Sequence, residues 1–149
     1  MNFHEQLQTD LIKALREKDE TRKWVIKMLK AAIQLAEVSK GESLTQDEFL
    51  SIVQKEIKTR HESLADATRA NRDDLIKAAN NEIEILKTYL PEQLSEEELI
   101  SMVREAIQES GASAPKDMGA VMKILLPRLQ GRAPNSEASR LVKAELNKD

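Results

Sequence analysis

The sequence predicts an all-α, multihelical protein in two parts: an N-terminal helical hairpin-like bundle and a C-terminal compact three-helix module. Three observations predict it. Apolar residues recur at helical spacing in every substantial segment. Only four residues are aromatic, Phe3, Trp24, Phe49 and Tyr89, so a core has to be built from Leu, Ile, Val, Met and Ala. Gly and Pro take four positions each in 149 residues while 33% are charged, which favours long helices over turn-rich sheets.

Phe3, Leu7, Leu11 and Leu15 recur every four residues and end in the polar stretch Arg16–Glu20. Trp24, Val25, Met28, Leu29, Ala32, Ile33 and Ala36 follow, with Lys23, Lys27, Lys30 and Gln34 on the other side and Gly41 as a stop. Thr45-Gln-Asp-Glu48 is a capping box: the hydroxyl accepts a free backbone N–H and the glutamate reaches back to the cap. It opens a helix carrying Phe49, Val53, Ile57, Leu64 and Ala67. After a break at Asn71–Asp74, Leu75, Ile76, Ala79, Ile83, Leu86 and Leu90 share a face. Trp24 and Tyr89 lie on these apolar stripes and are expected in the core.

Leu90-Pro91 is the boundary between the two parts, because proline disfavours helix at the residue before it and donates no backbone hydrogen bond. Residues 1–90 are read as the N-terminal helical body and residues 91–149 as the C-terminal module. A second capping box, Ser95-Glu-Glu-Glu98, opens a helix with Leu99, Ile100, Val103 and Ile107, which Gly111 suits as a C-terminal stop. Asp117 is expected to cap the next helix (Met118, Val121, Met122, Leu125), which Pro127 ends or kinks. Asn135 or Ser136 can cap the last, with Ala138, Leu141, Val142 and Leu146 on its buried side.

Cysteine is absent, which excludes disulfides, thiolate catalysis and thiolate zinc sites. No apolar run approaches the roughly 20 residues a bilayer requires, and Met1–Glu5 lacks a signal-peptide pattern. A soluble, cytoplasmic protein is therefore expected, without membrane association. The net charge of −3 is unevenly spread. Residues 1–81 balance fourteen positives with fourteen negatives; residues 82–109 carry two positives against eight negatives; residues 116–149 carry seven against four. A free-standing nucleic-acid binder is usually basic overall, so the total argues against one while the basic end allows local binding.

The stretches Tyr89-Leu-Pro-Glu-Gln-Leu-Ser-Glu-Glu-Glu-Leu99, Gly111-Ala-Ser, Met118-Gly-Ala-Val-Met122 and Gly131-Arg-Ala133, together with Ile26–Ile33 and Gln54–Lys58, resemble the YqeY family across nearly the whole chain. These are small bacterial proteins similar to the tail domain of the amidotransferase B subunit, GatB. That tail helps hold a misacylated tRNA by its elbow while other domains form the amide. The resemblance therefore implies tRNA or structured RNA, or a translation or amidotransferase component, as partner. Residue by residue it reaches Gly119, Val121, Met122 and Lys123, then Gly131, Arg132 and Ala133, then Leu141, Val142, Lys143 and Leu146. One departure is Glu137-Ala138, where relatives often carry an apolar pair; the start of the last helix is expected to pack less tightly or face a different surface.

The RNA-binding candidates are Lys123, Arg128, Gly131, Arg132 and Lys143. Glycine admits a positive φ or close backbone approach, and arginine can fork onto phosphate oxygens; equally, the pair can be a helix stop beside a solvated arginine. Gly119 inside a helical pattern costs about 1 kcal/mol relative to alanine, so it implies close approach by a neighbouring helix or by an RNA backbone. Lys23, Lys27, Lys30 and Lys55, Lys58, Arg60 read as the wet sides of amphipathic helices. His4 and His61 have no partner at metal-ligand spacing and read as solvated, and neither a metal nor a cofactor is expected.

Enzymatic machinery is not visible. The sequence has no glycine-rich phosphate loop, no G-x-S-x-G and no carboxylate pair set by its spacing in a cleft. The expected function is a non-catalytic accessory protein that contacts tRNA or RNA, as the resemblance to the GatB tail implies. Two alternatives stand beside it: a protein–protein adaptor docking on a translation component, and, by family association only, a component of a carbon–nitrogen ligase using glutamine as amide donor.

Overall fold

The computed structural model describes residues 2–148. They form seven α-helices and a short 3-10 turn, with no strand among the described residues. The all-α class and the order of four helices followed by three agree with the spacing of apolar residues. No described helix is long and apolar enough to cross a membrane. Contacts divide the chain into two compact units, Met1–Leu90 and Pro91–Asp149.

The first unit contains α1 (Phe3–Glu17), α2 (Glu20–Lys40), α3 (Gln46–Arg69) and α4 (Asp73–Lys87). Each helix begins or ends where side-chain chemistry dictates. Asn2 caps α1 by accepting the Glu5 N–H at 2.9 Å, while Glu5 accepts the Asn2 N–H at 3.2 Å. Lys18, at φ 57°, turns the chain out of α1, and Asp19 caps α2 by accepting the Arg22 N–H at 3.0 Å. Gly41 ends α2 at φ 85°, a conformation glycine takes without a Cβ penalty. The Thr45–Glu48 capping box closes in both directions at the start of α3.

Phe3, Leu7, Val25, Ile26, Leu29, Ile33, Phe49, Val53, Leu86 and Tyr89 form one core. Phe3 stacks on Phe49 with ring centroids 4.5 Å apart, and Tyr89 meets Phe49 edge-on at 6.4 Å. The Tyr89 hydroxyl donates to Asp10 Oδ2 at 2.6 Å, joining α1 to the segment after α4.

Trp24 is not in this core: it is 56% exposed. The inner face of α2 is already filled by Val25, Ile26, Leu29 and Ile33, which leaves the indole on the other side. Leu15 and Leu75, placed on apolar stripes by their spacing, are likewise exposed. Arg60 departs in the opposite sense. It is buried rather than on a wet face, because its guanidinium pairs with Glu56 one turn back and approaches Glu82 of α4 at 3.9 Å.

The second unit contains α5 (Glu96–Ser110), the 3-10 turn Pro115–Asp117, α6 (Met118–Leu129) and α7 (Asn135–Leu146). The Ser95–Glu98 capping box forms as its sequence requires, and Gly111 ends α5 at φ 72°. Asp117 does not cap α6. Its carboxylate accepts the N–H groups of Ser113 and Ala114 and so fixes the preceding turn. Asn135 is the first residue of α7, which starts after Pro134 without a side-chain cap. Pro127 sits inside α6 and does not end it. Proline has no N–H to offer the carbonyl four residues earlier, and the helix ends two residues later.

Leu99, Val103, Ala106, Val121, Leu125, Leu129, Ala133, Ala138, Leu141, Val142 and Leu146 form the second core. Ala138 is fully buried, so α7 packs closely there, where looser packing or a different surface is expected from the Glu137-Ala138 pair.

Because the two cores share no residue, a fragment beginning near Tyr89 should keep its helices. Circular dichroism of the fragment against the full chain tests this, and a random-coil spectrum would refute it. The first unit should be sensitive to alkali. Burial, then the hydrogen bond to Asp10, pushes the Tyr89 hydroxyl well above its ordinary value of 10.0. A raised folded-state pKa contributes stability that is present below the unfolded value and is lost as pH rises beyond it. Tyr89→Phe should cost about 1–2 kcal/mol at neutral pH and flatten the stability loss above about pH 10, as read by urea denaturation.

Candidate nucleic-acid interface

Of the candidate residues, Gly131 and Arg132 form the turn between α6 and α7, Arg128 sits at the end of α6, and Lys123 and Lys143 lie farther back on α6 and α7. Leu129 and Ala133 are buried at the two ends of the turn. Between them Gln130 and Gly131 take left-handed conformations, φ 49° and 75°, which reverse the chain in two residues. Gly131 thus has the positive φ its residue type suggests. The backbone of Arg132 is engaged on both sides: its N–H donates to the Leu129 carbonyl and its carbonyl accepts the Leu94 N–H, each at 2.8 Å. Gln93 Nε2 adds bonds to the carbonyls of Pro91 and Gly131, each at 2.9 Å. The turn is therefore bound to the segment entering α5, and the Arg132 side chain leaves a fixed backbone.

Lys123 and Lys143 are exposed, on α6 and α7, and the side chain of neither makes an ion pair or hydrogen bond with a described residue. Arg132 is half-exposed and also makes no ion pair among the described residues. Arg128 is exposed and paired with Glu109. An exposed pair of this kind is worth about 0–1 kcal/mol, so a stronger anion could displace the glutamate. Arg140 and Lys148 are occupied by Glu137 with Glu96 and by Glu145, respectively. Of Lys123, Arg128, Arg132 and Lys143, only Arg128 and Arg132 flank the turn; Lys123 is six residues before the end of α6 and Lys143 eight residues after the start of α7.

Arg132 lies along a shallow depression with Leu94, Glu97, Glu98, Ser101 and Met102. Its charge reaches Glu98, whose carboxyl is held below its ordinary value chiefly by the Ser95 N–H, then by the Ser95 hydroxyl, with Arg132 a smaller contribution. A phosphate approaching Arg132 therefore also approaches two carboxylates at the start of α5.

Gly119 and Lys123 lie one turn apart on the exposed side of α6, with Leu126 beside them. A Cβ at Gly119 would meet nothing within 4 Å. Close packing by a neighbouring helix, the first explanation its sequence context suggests, is therefore not what this glycine serves.

One reading from the sequence in the first unit also changes. His4 is not simply solvated: its Nε2 meets Glu37 Oε2 at 3.0 Å, a partner 33 residues away that local spacing cannot reveal. Glu37 also accepts the Leu44 N–H at 3.0 Å, which is the main reason its carboxyl lies below its ordinary value. Among the described residues no group of three or more His, Asp or Glu side chains is placed to hold a metal ion.

A family profile described as Yqey-like protein matches residues 4–146. The chain is 29% identical over 136 residues to "Altered inheritance of mitochondria protein 41, mitochondrial" of Pyrenophora tritici-repentis, across 88% of this chain and 73% of that protein. It is 33% identical to the protein of the same name from Lachancea thermotolerans over 112 residues, and to that from Kluyveromyces lactis over 113. In both of these cases the match covers 73% of this chain and 60% of the relative.

Open space at Gly119 makes a clear stability expectation. Gly119→Ala should leave the fold intact and stabilise it by up to about 1 kcal/mol, since alanine is the better helix former and meets no obstacle. Urea denaturation measures this, and a marked destabilisation would contradict the geometry.

Proposed function

The chain belongs to the Yqey-like protein family, and on that premise we propose that it is a non-catalytic accessory protein that contacts tRNA or another structured RNA. The mode of contact is the one implied by its resemblance to the GatB tail: recognition of shape and phosphates by the second unit. The observation that carries this reading is Arg132, without an ion pair among the described residues on a turn whose backbone is fixed by hydrogen bonds, with the unpaired Lys123 and Lys143 exposed on the two helices that the turn joins.

The chemistry of the unit narrows the mode of contact. Residues 91–149 contain no aromatic side chain, so they offer no platform on which bases could stack. Binding would fall to phosphates, and A-form RNA is read largely through its shape, its phosphates and its 2′-hydroxyls. Each neutralised phosphate adds about 0.7–0.9 to the steepness of the log–log salt dependence. Three or four such contacts, opposed by Glu97 and Glu98 beside Arg132, support modest affinity that is strongly salt-dependent.

An adaptor docking on a translation component is the second reading. It is favoured by the open Gly119 next to Lys123 and the exposed Leu126, a combination that would also admit a partner's helix. A role within a glutamine-dependent carbon–nitrogen ligase rests on the family resemblance alone. The proposed compartment is the cytoplasm; "mitochondrial" belongs to the names of the fungal relatives.

Arg132→Ala should weaken tRNA binding, lower the salt slope by about 0.7–0.9, and leave helical content unchanged. A salt titration of wild type and variant reads the first two effects, and circular dichroism reads the third. Equal and negligible RNA binding by both, with loss of a protein partner on the same substitution, would move the assignment to the adaptor.

A further inference from the structure

Helix α2 is apolar on two faces. Its inner face, Val25, Ile26, Leu29 and Ile33, is buried in the first core. On the opposite side Trp24, Met28, Ala31, Leu35 and Val38 follow one another at intervals of four, three, four and three residues. That is the spacing of a and d positions in a helix–helix seam. The fourteen steps from Trp24 to Val38, at 1.5 Å each, make it about 21 Å long. Leu35 and Val38 are each 74% exposed, and Trp24 more than half. The core of the first unit is complete without any of the three.

The charges beside the seam indicate what would cover it. From Thr21 to Ala36 the helix carries Arg22, Lys23, Lys27 and Lys30 and no carboxylate. Arg22 pairs with Asp19, Lys23 with Glu20, and Lys30 donates to Gln8. Lys27, between Trp24 and Met28 in sequence, has no partner among the described residues. Met28 also lines a cleft of about 640 Å³ together with the α3–α4 hairpin. The arginines of that cleft are already matched, Arg60 by Glu56 and Glu82 and Arg72 by Asp74. The unmatched charge on α2 beside the seam is therefore positive.

We propose that α2 is a docking face for an amphipathic helix of a partner protein. That helix would have apolar residues at a and d spacing over about four turns, with carboxylates flanking them to meet Lys27. A second copy of α2 fits less well, since between Thr21 and Ala36 it offers the unmatched Lys27 no carboxylate. The surface belongs to the first unit and the residues assigned to RNA belong to the second, so the two assignments stand or fall separately.

The sole tryptophan of the chain, Trp24, lies in the seam and reports on it directly. The test uses the full-length protein and a synthetic tryptophan-free 21-residue helix with Leu at a and d and Glu at e and g. A second peptide carries Lys in place of Glu. The acidic peptide should shift Trp24 emission to the blue saturably and bind about tenfold or more tightly than the basic one. Lys27→Glu should narrow or reverse that preference. The double variant Leu35→Gln, Val38→Gln should lose about tenfold in affinity while Arg132→Ala changes nothing. Equal binding of the two peptides, or binding that survives the double variant, would overturn the proposal. So would a blue shift that grows with protein concentration alone, which assigns the seam to a second copy. A shift on phosphatidylglycerol vesicles with none on the acidic peptide would also overturn it, by assigning the face to a membrane.

Discussion

The hydrogen bond from the Leu94 N–H to the Arg132 carbonyl ties the entrance of α5 to the turn between α6 and α7. Everything assigned to the second unit depends on it. Two consecutive left-handed residues make a sharp reversal that could open at little cost if its only support were local. Here the reversal is held by the Leu94 and Gln93 donors and by the buried Leu129 and Ala133 beside it. Arg132 then projects from a backbone with little freedom left to lose on binding, which reduces the entropic cost of using it. The same tie brings Arg132 alongside Glu97 and Glu98. Rigidity and electrostatic opposition have a common origin in this unit, and a ligand gains the first only by accepting the second.

Much of the fold was legible in the sequence because its signals are local. Thr45 with Glu48 and Ser95 with Glu98 form caps that need only three residues of separation, and Gly41 and Gly111 stop helices through their own φ. The misreadings share a different origin. Trp24 lies near an apolar stripe, yet helix periodicity alone does not decide which of two apolar faces a helix buries. Arg60 is polar and was placed in water, but α4 brings Glu82 to it across a hairpin. Asp117 looked like the cap of the helix it precedes, while its carboxylate turns back to Ser113 and Ala114.

The candidate site was legible as a list of residues and not as an arrangement. Residue type and spacing pick out Gly131 and Arg132, and the positive φ of Gly131 agrees with them. Which cations keep a partner is decided by tertiary neighbours. Arg128 meets Glu109 and Arg140 meets Glu96, partners contributed by α5, whereas Lys123 and Lys143 meet none among the described residues. Net charge along the chain registers the acidic character of residues 82–109 but not that its members take up some of the basic residues and not others.

The aromatic cluster of the first unit has a consequence for how the chain is made. Phe3, Phe49 and Tyr89 come from the beginning, middle and end of the first ninety residues, and the Tyr89 hydroxyl closes the cluster on Asp10. During synthesis α1 and α2 leave the ribosome with apolar faces that have no complete partner until Tyr89 has emerged. Contacts of such long sequence separation delay closure, because the intervening chain must first be ordered. The core of the first unit is therefore complete only once Tyr89 has emerged, and until then its apolar faces are open to a chaperone.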